Sequence, residues 1–189
     1  RSRTEQTTKT MQKQNSYKPI KNTFCMTSEP LLATSSPYIE VKKSRIHNNG
    51  VFARMDIPKG VRIIQYVGEK ITKREADRRA DLVIEESKTS KTLGAVYLFE
   101  LNKRYDIDGN VHWNTARFIN HSCSPNCETI NEDGKIWIES TRNIKKGEEL
   151  GYNYGYDFES YEEHPCKCSS SACVGYILQE KQWKKLQKK

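Results

Sequence analysis

Arg117-Phe118-Ile119-Asn120-His121-Ser122-Cys123 is the stretch whose reading decides this chain. An amide, an imidazole and a thiol stand within four positions there, directly after an apolar pair. Further along comes Glu148-Glu149-Leu150-Gly151-Tyr152-Asn153-Tyr154-Gly155, and then a tight cysteine set, Cys166, Cys168 and Cys173. An Asn-His pair, a tyrosine pair and a cysteine cluster, in that order, point to an active site beside a metal knot.

At 189 residues the chain accommodates one domain, with room for tails. Its hydrophobic fraction is 35%, so the core is modest for this length. No apolar run approaches the ~20 residues that span a bilayer, no signal-peptide pattern is present, and no membrane partner is expected. The net charge of +8 is unevenly placed. Residues 1–37 hold six Lys/Arg against two Asp/Glu, and residues 178–189 hold five Lys against one Glu. The middle, 38–177, carries 21 of each sign and is neutral. A dedicated nucleic-acid protein would hold its excess on the folded part. The ends therefore read as solvated tails, with weak, salt-sensitive contact to nucleic acid or an acidic partner as the alternative.

Residues 1–37 are rich in Thr, Ser, Gln and Lys, with Pro19, Pro30 and Pro37. Such a composition cannot offset the entropy of ordering its backbone, so disorder is expected, with the residues nearest 37 clamped onto the domain. From Pro37 onward, short strands alternate with turns. Strands are expected at 38–41, 51–53, 61–66, 95–101, 104–107 and 135–141. Turns are expected at Asn48-Asn49-Gly50, Asp108-Gly109, Asp133-Gly134 and Lys145-Lys146-Gly147. Thr72, with Glu75 three positions on, caps an expected helix over 72–87. A short basic helix with Trp183 and Leu186 on one side is expected near the C-terminus. The fold class is mainly β (α+β) with one inserted helix.

These pieces, in this order, resemble the SET-domain protein lysine methyltransferases that carry a post-SET zinc motif. The resemblance spans about 38–177. It rests on Arg117 to Asn126, on Gly147-Glu148-Glu149-Leu150 with Tyr152 and Tyr154, and on the C-x-C-x4-C of Cys166, Cys168 and Cys173. Tyr66-Val67-Gly68-Glu69, Tyr97-Leu98-Phe99 and Tyr105-Asp106-Ile107-Asp108 add support. The resemblance implies small curved β-sheets with a C-terminal pseudoknot. It divides the chain into a basic tail (1–37), a SET domain (38–160), a zinc-binding post-SET segment (161–178) and a basic C-terminal tail or helix (179–189). Only Cys25 precedes the domain, so the likeness is to a compact form without a cysteine-rich pre-SET segment.

The implied chemistry is transfer of a methyl group from S-adenosylmethionine to a lysine amine held in an aromatic channel. Alignment replaces a chance encounter, and burial favours the neutral amine. The resemblance casts Tyr154 as the catalytic tyrosine and Tyr66 as a second channel tyrosine. Tyr152 falls at a phenylalanine/tyrosine switch, which implies mainly mono- or dimethylation. Asn120 and His121 are implied cofactor contacts, with Tyr97 near the cofactor carboxylate and Arg117 supporting that loop. Asn49, Gly50, Val51 and Phe52 complete the cofactor side, Phe52 packing on adenine or simply filling the core. Asn48 stands where the family has glycine, but Asn tolerates positive φ well enough to keep the turn. Taken singly, the strand tyrosines Tyr66, Tyr97 and Tyr105 would be ordinary core residues.

Three cysteines cannot complete a tetrahedral Zn2+ site, which needs four ligands. Cys123, Cys127 and His164 are all eligible by spacing, and the resemblance selects Cys123. The metal would then be structural, with no open position. Histone tails are the implied substrate and chromatin in the nucleus the implied place, with a bacterial protein acting on host chromatin as the alternative. Two other readings compete: a catalytically weak SET module that binds lysine-bearing peptides, and a methyltransferase for a non-histone protein.

Overall fold

The computed structural model describes residues 34–89, 97–159 and 161–188. The first hairpin joins β1 (Ile39–Lys43) to β2 (Asn49–Ala53) in antiparallel register, Lys43 opposite Asn49. Its connection is a tight loop: Ser44 N–H donates to the Asn48 carbonyl at 3.1 Å, and Ser44 Oγ accepts from Ile46 N–H at 2.9 Å. Asn48 takes φ +36°, the left-handed region in which Asn is the best substitute for glycine. The turn thus lies one step earlier than the motif suggests, because Asn49 and Gly50 already belong to β2.

Two three-stranded sheets follow. One runs β3 (Arg62–Tyr66), β9 (Lys135–Ser140), β8 (Cys127–Glu132); the other runs β4 (Glu69–Thr72), β6 (Tyr105–Asp108), β5 (Leu98–Glu100). The β8–β9 hairpin closes over the two residues Asp133 (φ +51°) and Gly134 (φ +72°), a primed turn that matches the twist of its strands. Helix α1 (Lys73–Thr89) begins where Thr72 Oγ1 accepts from Glu75 N–H at 3.3 Å, as the capping signal predicts. Ala76 and Ala80 are its buried face. Arg79 ties the helix to β4 through Glu69 at 2.8 Å and to the end of β6 through Asp108 at 2.6 Å. β-Branched residues dominate the core: Ile57, Ile63, Ile64, Ile119, Ile136, Ile138 and Ile144 are almost wholly enclosed.

The pairing that matters most for the site is also the shortest. β7 (Asn120–His121) lies parallel to β10 (Gly151–Tyr152), Asn120 beside Gly151 and His121 beside Tyr152. Neither strand has a sequence signal of its own. Asn126 holds the crossing: its Nδ2 donates to the Glu149 carbonyl and its Oδ1 accepts from Gly151 N–H, both at 2.9 Å. Its side chain is buried, so Asn126→Ala would strand two backbone groups without water. The expected loss is about 3 kcal/mol, a fall of roughly 6–12 °C in Tm by calorimetry.

At the C-terminus a 3-10 helix (Glu180–Lys188) docks through Trp183, whose Nε1 donates to the carbonyl of buried Leu178 at 3.1 Å. At the other end Thr115 Oγ1 donates to the Thr34 carbonyl at 2.9 Å, which fastens the segment before β1. Of the tail expected to be disordered over 1–37, residues 1–33 with Cys25 lie outside the described residues, as do positions 95–96 at the start of an expected strand. Among those described, no helix is long and apolar enough to cross a membrane.

Candidate active site

The three tyrosines singled out from sequence converge although they come from two distant strand ends. Tyr66 closes β3, while Tyr152 and Tyr154 lie on and just after β10. The Tyr152 and Tyr154 rings are 4.9 Å apart, and Phe99 bridges Tyr66 (5.2 Å) and Tyr152 (6.4 Å). Each anchored hydroxyl meets a main-chain oxygen: Tyr66 donates to Tyr97 O at 2.8 Å and Tyr154 to Ile119 O at 2.9 Å. Burial pushes the Tyr66, Tyr152 and Tyr154 hydroxyls well above the usual phenol range, so all three stay protonated at neutral pH. Tyr156 joins the cluster, 6.4 Å from Tyr154 and 4.2 Å from His164, its hydroxyl pushed up to about 12 by burial. Sequence reading passed over it, yet the alternation Tyr152, Tyr154, Tyr156 was the available signal.

His121 sits at the hinge between the tyrosines and the cysteines. Its Nδ1 accepts from Tyr154 N–H at 3.2 Å, which leaves the proton on Nε2, 3.4 Å from Cys123 Sγ. Burial lowers its pKa to about 4, so the ring is neutral at physiological pH. Asn120 uses its amide differently, donating from Nδ2 to Asn49 O at 3.1 Å and to Glu149 Oε1 at 2.8 Å.

The other cofactor candidates divide. Arg117 lies over the Tyr97 ring at 5.8 Å and the Phe118 ring at 4.7 Å, and donates to Asn110 Oδ1 at 3.3 Å. Its Nε is buried with no partner among the described residues, a donor still to be satisfied. Phe52 is half-buried, with Lys42 Nζ 6.0 Å from its ring. Val51 is different: its side chain is wholly in the core and its carbonyl accepts from Leu150 N–H at 2.8 Å. Gly50 is buried, and a Cβ there would collide with Glu149 Oε1 and Ser44 Cβ. Close approach, rather than turn geometry, demands glycine at 50. Beside this network opens a cleft of about 500 Å³ lined by Arg45, Ser122, Ser124, Glu149, Gly151 and Lys167, among others. Tyr105 stands apart in β6 beneath Lys70, whose Nζ is 4.3 Å from its ring.

The Sγ atoms of Cys123, Cys166, Cys168 and Cys173 all lie within 4.8 Å of one another. Cys123 and Cys166 are 3.7 Å apart. A tetrahedron with Zn–S arms of about 2.3 Å has edges of roughly 3.8 Å, so the donor set and its size suit zinc. Against the burial that would raise it, hydrogen bonds from Ser170 and from Cys123 N–H hold the Cys168 thiol down at about 6. Cys127 is buried in β8, its thiol pushed up to about 12 by burial, and is no part of the cluster. His164 packs at a tilt against the Tyr156 ring instead. None of the described cysteines is in a disulfide.

The sequence model of the SET domain matches residues 48–155, more than half of the chain. The chain belongs to the SET domain family. Among curated proteins, this SET domain is similar to "Histone-lysine N-methyltransferase, H3 lysine-4 specific" of Schizosaccharomyces pombe, 41% identical over 138 residues. That alignment covers 71% of this chain and 14% of the relative. It is also similar to "Histone-lysine N-methyltransferase 2D" of Homo sapiens, 37% identical over 141 residues, covering 71% of this chain and 2% of the relative. A protein of Emericella nidulans with the same name as the Schizosaccharomyces one is 37% identical over 145 residues, covering 74% of this chain and 12% of the relative. The SET domain thus spans only a small part of the relatives it matches, and the family match over 48–155 takes in both β7 and β10.

Proposed function

We propose that this SET domain is an S-adenosylmethionine-dependent protein lysine N-methyltransferase acting on a histone tail. The observation that carries the proposal is the tyrosine cluster, with the Tyr66 hydroxyl pinned to Tyr97 O and the Tyr154 hydroxyl to Ile119 O, the residue just before Asn120. Such a cluster can admit a long aliphatic side chain, strip its water and hold its amine neutral. When bound, the cofactor supplies an electrophilic methyl group on sulfur. Asn49, Gly50, Phe52, Tyr97, Arg117, Asn120 and His121 would hold it. Tyr66 and Tyr154 would orient the lysine amine along the transfer axis, the positioning that makes an encounter effectively unimolecular. The Cys123, Cys166, Cys168, Cys173 cluster would hold a structural zinc.

Among the described residues β5 (Leu98–Glu100) pairs only with β6, and an extended peptide would add as a strand to its other edge, beside Tyr97. The similar proteins whose names include "H3 lysine-4 specific" favour the fourth-position lysine of histone H3 and a chromatin location. A labelled-methyl assay tests both steps on three substrates: whole histones, an H3 tail peptide, and the same peptide with that lysine replaced by alanine. Transfer to none of the three would sink the enzymatic reading; equal transfer to both peptides would sink the choice of lysine.

Tyr152 supports mono- or dimethylation as the main outcome. Its hydroxyl occupies space in the cluster, and burial keeps it protonated. Tyr152→Phe is expected to shift the product toward trimethyl-lysine, with total turnover changed by less than about tenfold. Mass spectrometry of the product peptide reads it; an unchanged distribution would count against the assignment.

A further inference from the structure

We propose that Glu149 is the positioning residue of the cofactor side, holding the Asn120 amide in a single orientation; this rests on the function proposed above. Glu149 Oε1 accepts from Asn120 Nδ2 at 2.8 Å and from Ser44 Oγ at 2.7 Å. The other Asn120 amide hydrogen goes to Asn49 O at 3.1 Å. Both donors of the amide are therefore spent on the protein, and Oδ1 is the atom left to face a ligand. Flipping the amide would set Oδ1 against a carboxylate and a carbonyl, two acceptor–acceptor contacts. An acceptor at 149 thus fixes Asn120 with its own Oδ1 as the free acceptor, the partner suited to the ammonium of an amino-acid ligand.

The same carboxylate shapes the loop opposite. Ser44 Oγ, while donating to Glu149, accepts from Ile46 N–H at 2.9 Å and so sets the 44–48 turn. Gly50 is pressed against the carboxylate, with a Cβ there also falling 2.9 Å from Ser44 Cβ. From beside β10, the Glu149 side chain thereby touches both the loop and Asn120.

The test is a double-mutant cycle on cofactor affinity, by calorimetry with S-adenosylmethionine, alongside the Asn120 side-chain amide resonances of the cofactor-free protein. Glu149→Ala is expected to weaken cofactor binding about tenfold and to raise its KM with kcat changed less than about threefold. In an Asn120→Ala background the same change should cost less than about twofold. Glu149→Gln, which keeps an acceptor, should recover most of the affinity, and only Glu149→Ala should move the Asn120 amide resonances strongly. Equal losses in both backgrounds, or unmoved resonances, would overturn the assignment. Absence of cofactor binding by the wild type would instead overturn the proposed function, and this inference with it.

Discussion

Tyr154→Phe is expected to slow methyl transfer about 100- to 1,000-fold while cofactor affinity stays within roughly threefold of wild type. The change removes one oxygen from a ring whose surroundings remain: Tyr152 at 4.9 Å, His121 at 5.5 Å and Tyr156 at 6.4 Å. What is lost is the hydroxyl that donates to Ile119 O at 2.9 Å and, on the proposed mechanism, fixes the direction of the incoming amine. Two to three decades correspond to about 3–4 kcal/mol of transition-state stabilisation, the scale of one well-aimed polar contact in a dry site. Folding stability should fall by only about 1 kcal/mol, since one carbonyl loses one partner. Single-turnover kinetics with labelled cofactor separates these effects; a rate within threefold of wild type would remove Tyr154 from the chemistry. The pH dependence offers a second check. Burial keeps the Tyr154 hydroxyl protonated far above neutrality, whereas a free lysine amine titrates near ~10.4. The wild-type rate should therefore rise with pH between about 7 and 9 as the substrate loses its proton, with no decline from tyrosine ionisation.

Removing the metal should be as damaging by a different route. The protein is expected to carry about one zinc per chain, and a strong chelator should lower cofactor affinity at least about tenfold and abolish transfer. The reason is positional. Cys123 follows β7 closely, while Cys166, Cys168 and Cys173 belong to the segment after β10, so four thiolates on one ion would join two stretches otherwise linked by few bonds. His121 Nε2–H, aimed at Cys123 Sγ, makes that junction continuous with Tyr154. Because the apolar core of residues 39–152 contains none of the three C-terminal cysteines, the far-UV circular dichroism should be largely retained on chelation. Cys168→Ser is expected to reproduce the loss and Cys127→Ala to keep the metal. Full activity after verified metal removal would refute the coupling.

Much of this arrangement was legible in the residues themselves. Thr72 and Glu75 announced α1, Asp133-Gly134 announced the β8–β9 turn, and the ordered set around Asn120, Tyr154 and Cys166 announced the family. These are local signals, carried by caps, turns and motifs. β7 and β10 were not legible, since two-residue parallel strands have no periodicity to read and exist only as a pair. Tyr156 went unnoticed, and Glu149 was legible only as part of the Glu148-Glu149-Leu150 motif, for a related reason: nothing in their neighbours shows what they touch. The four Sγ atoms fall together around Cys123, while Cys127, equally eligible by spacing, turns into a sheet.

The sequence by itself determined the family, the mainly β class and the short roster of polar and aromatic groups from which a site could be made. Only the tertiary structure decided how that roster is divided: Asn120 toward Glu149 and Asn49, His121 toward Tyr154 and Cys123, Val51 into the core. Consecutive residues on an extended strand face opposite ways, so the register of Asn120 beside Gly151 assigns each its side. The stretch Arg117 to Cys123 names the groups, and the strand laid against it sets the direction in which each one points.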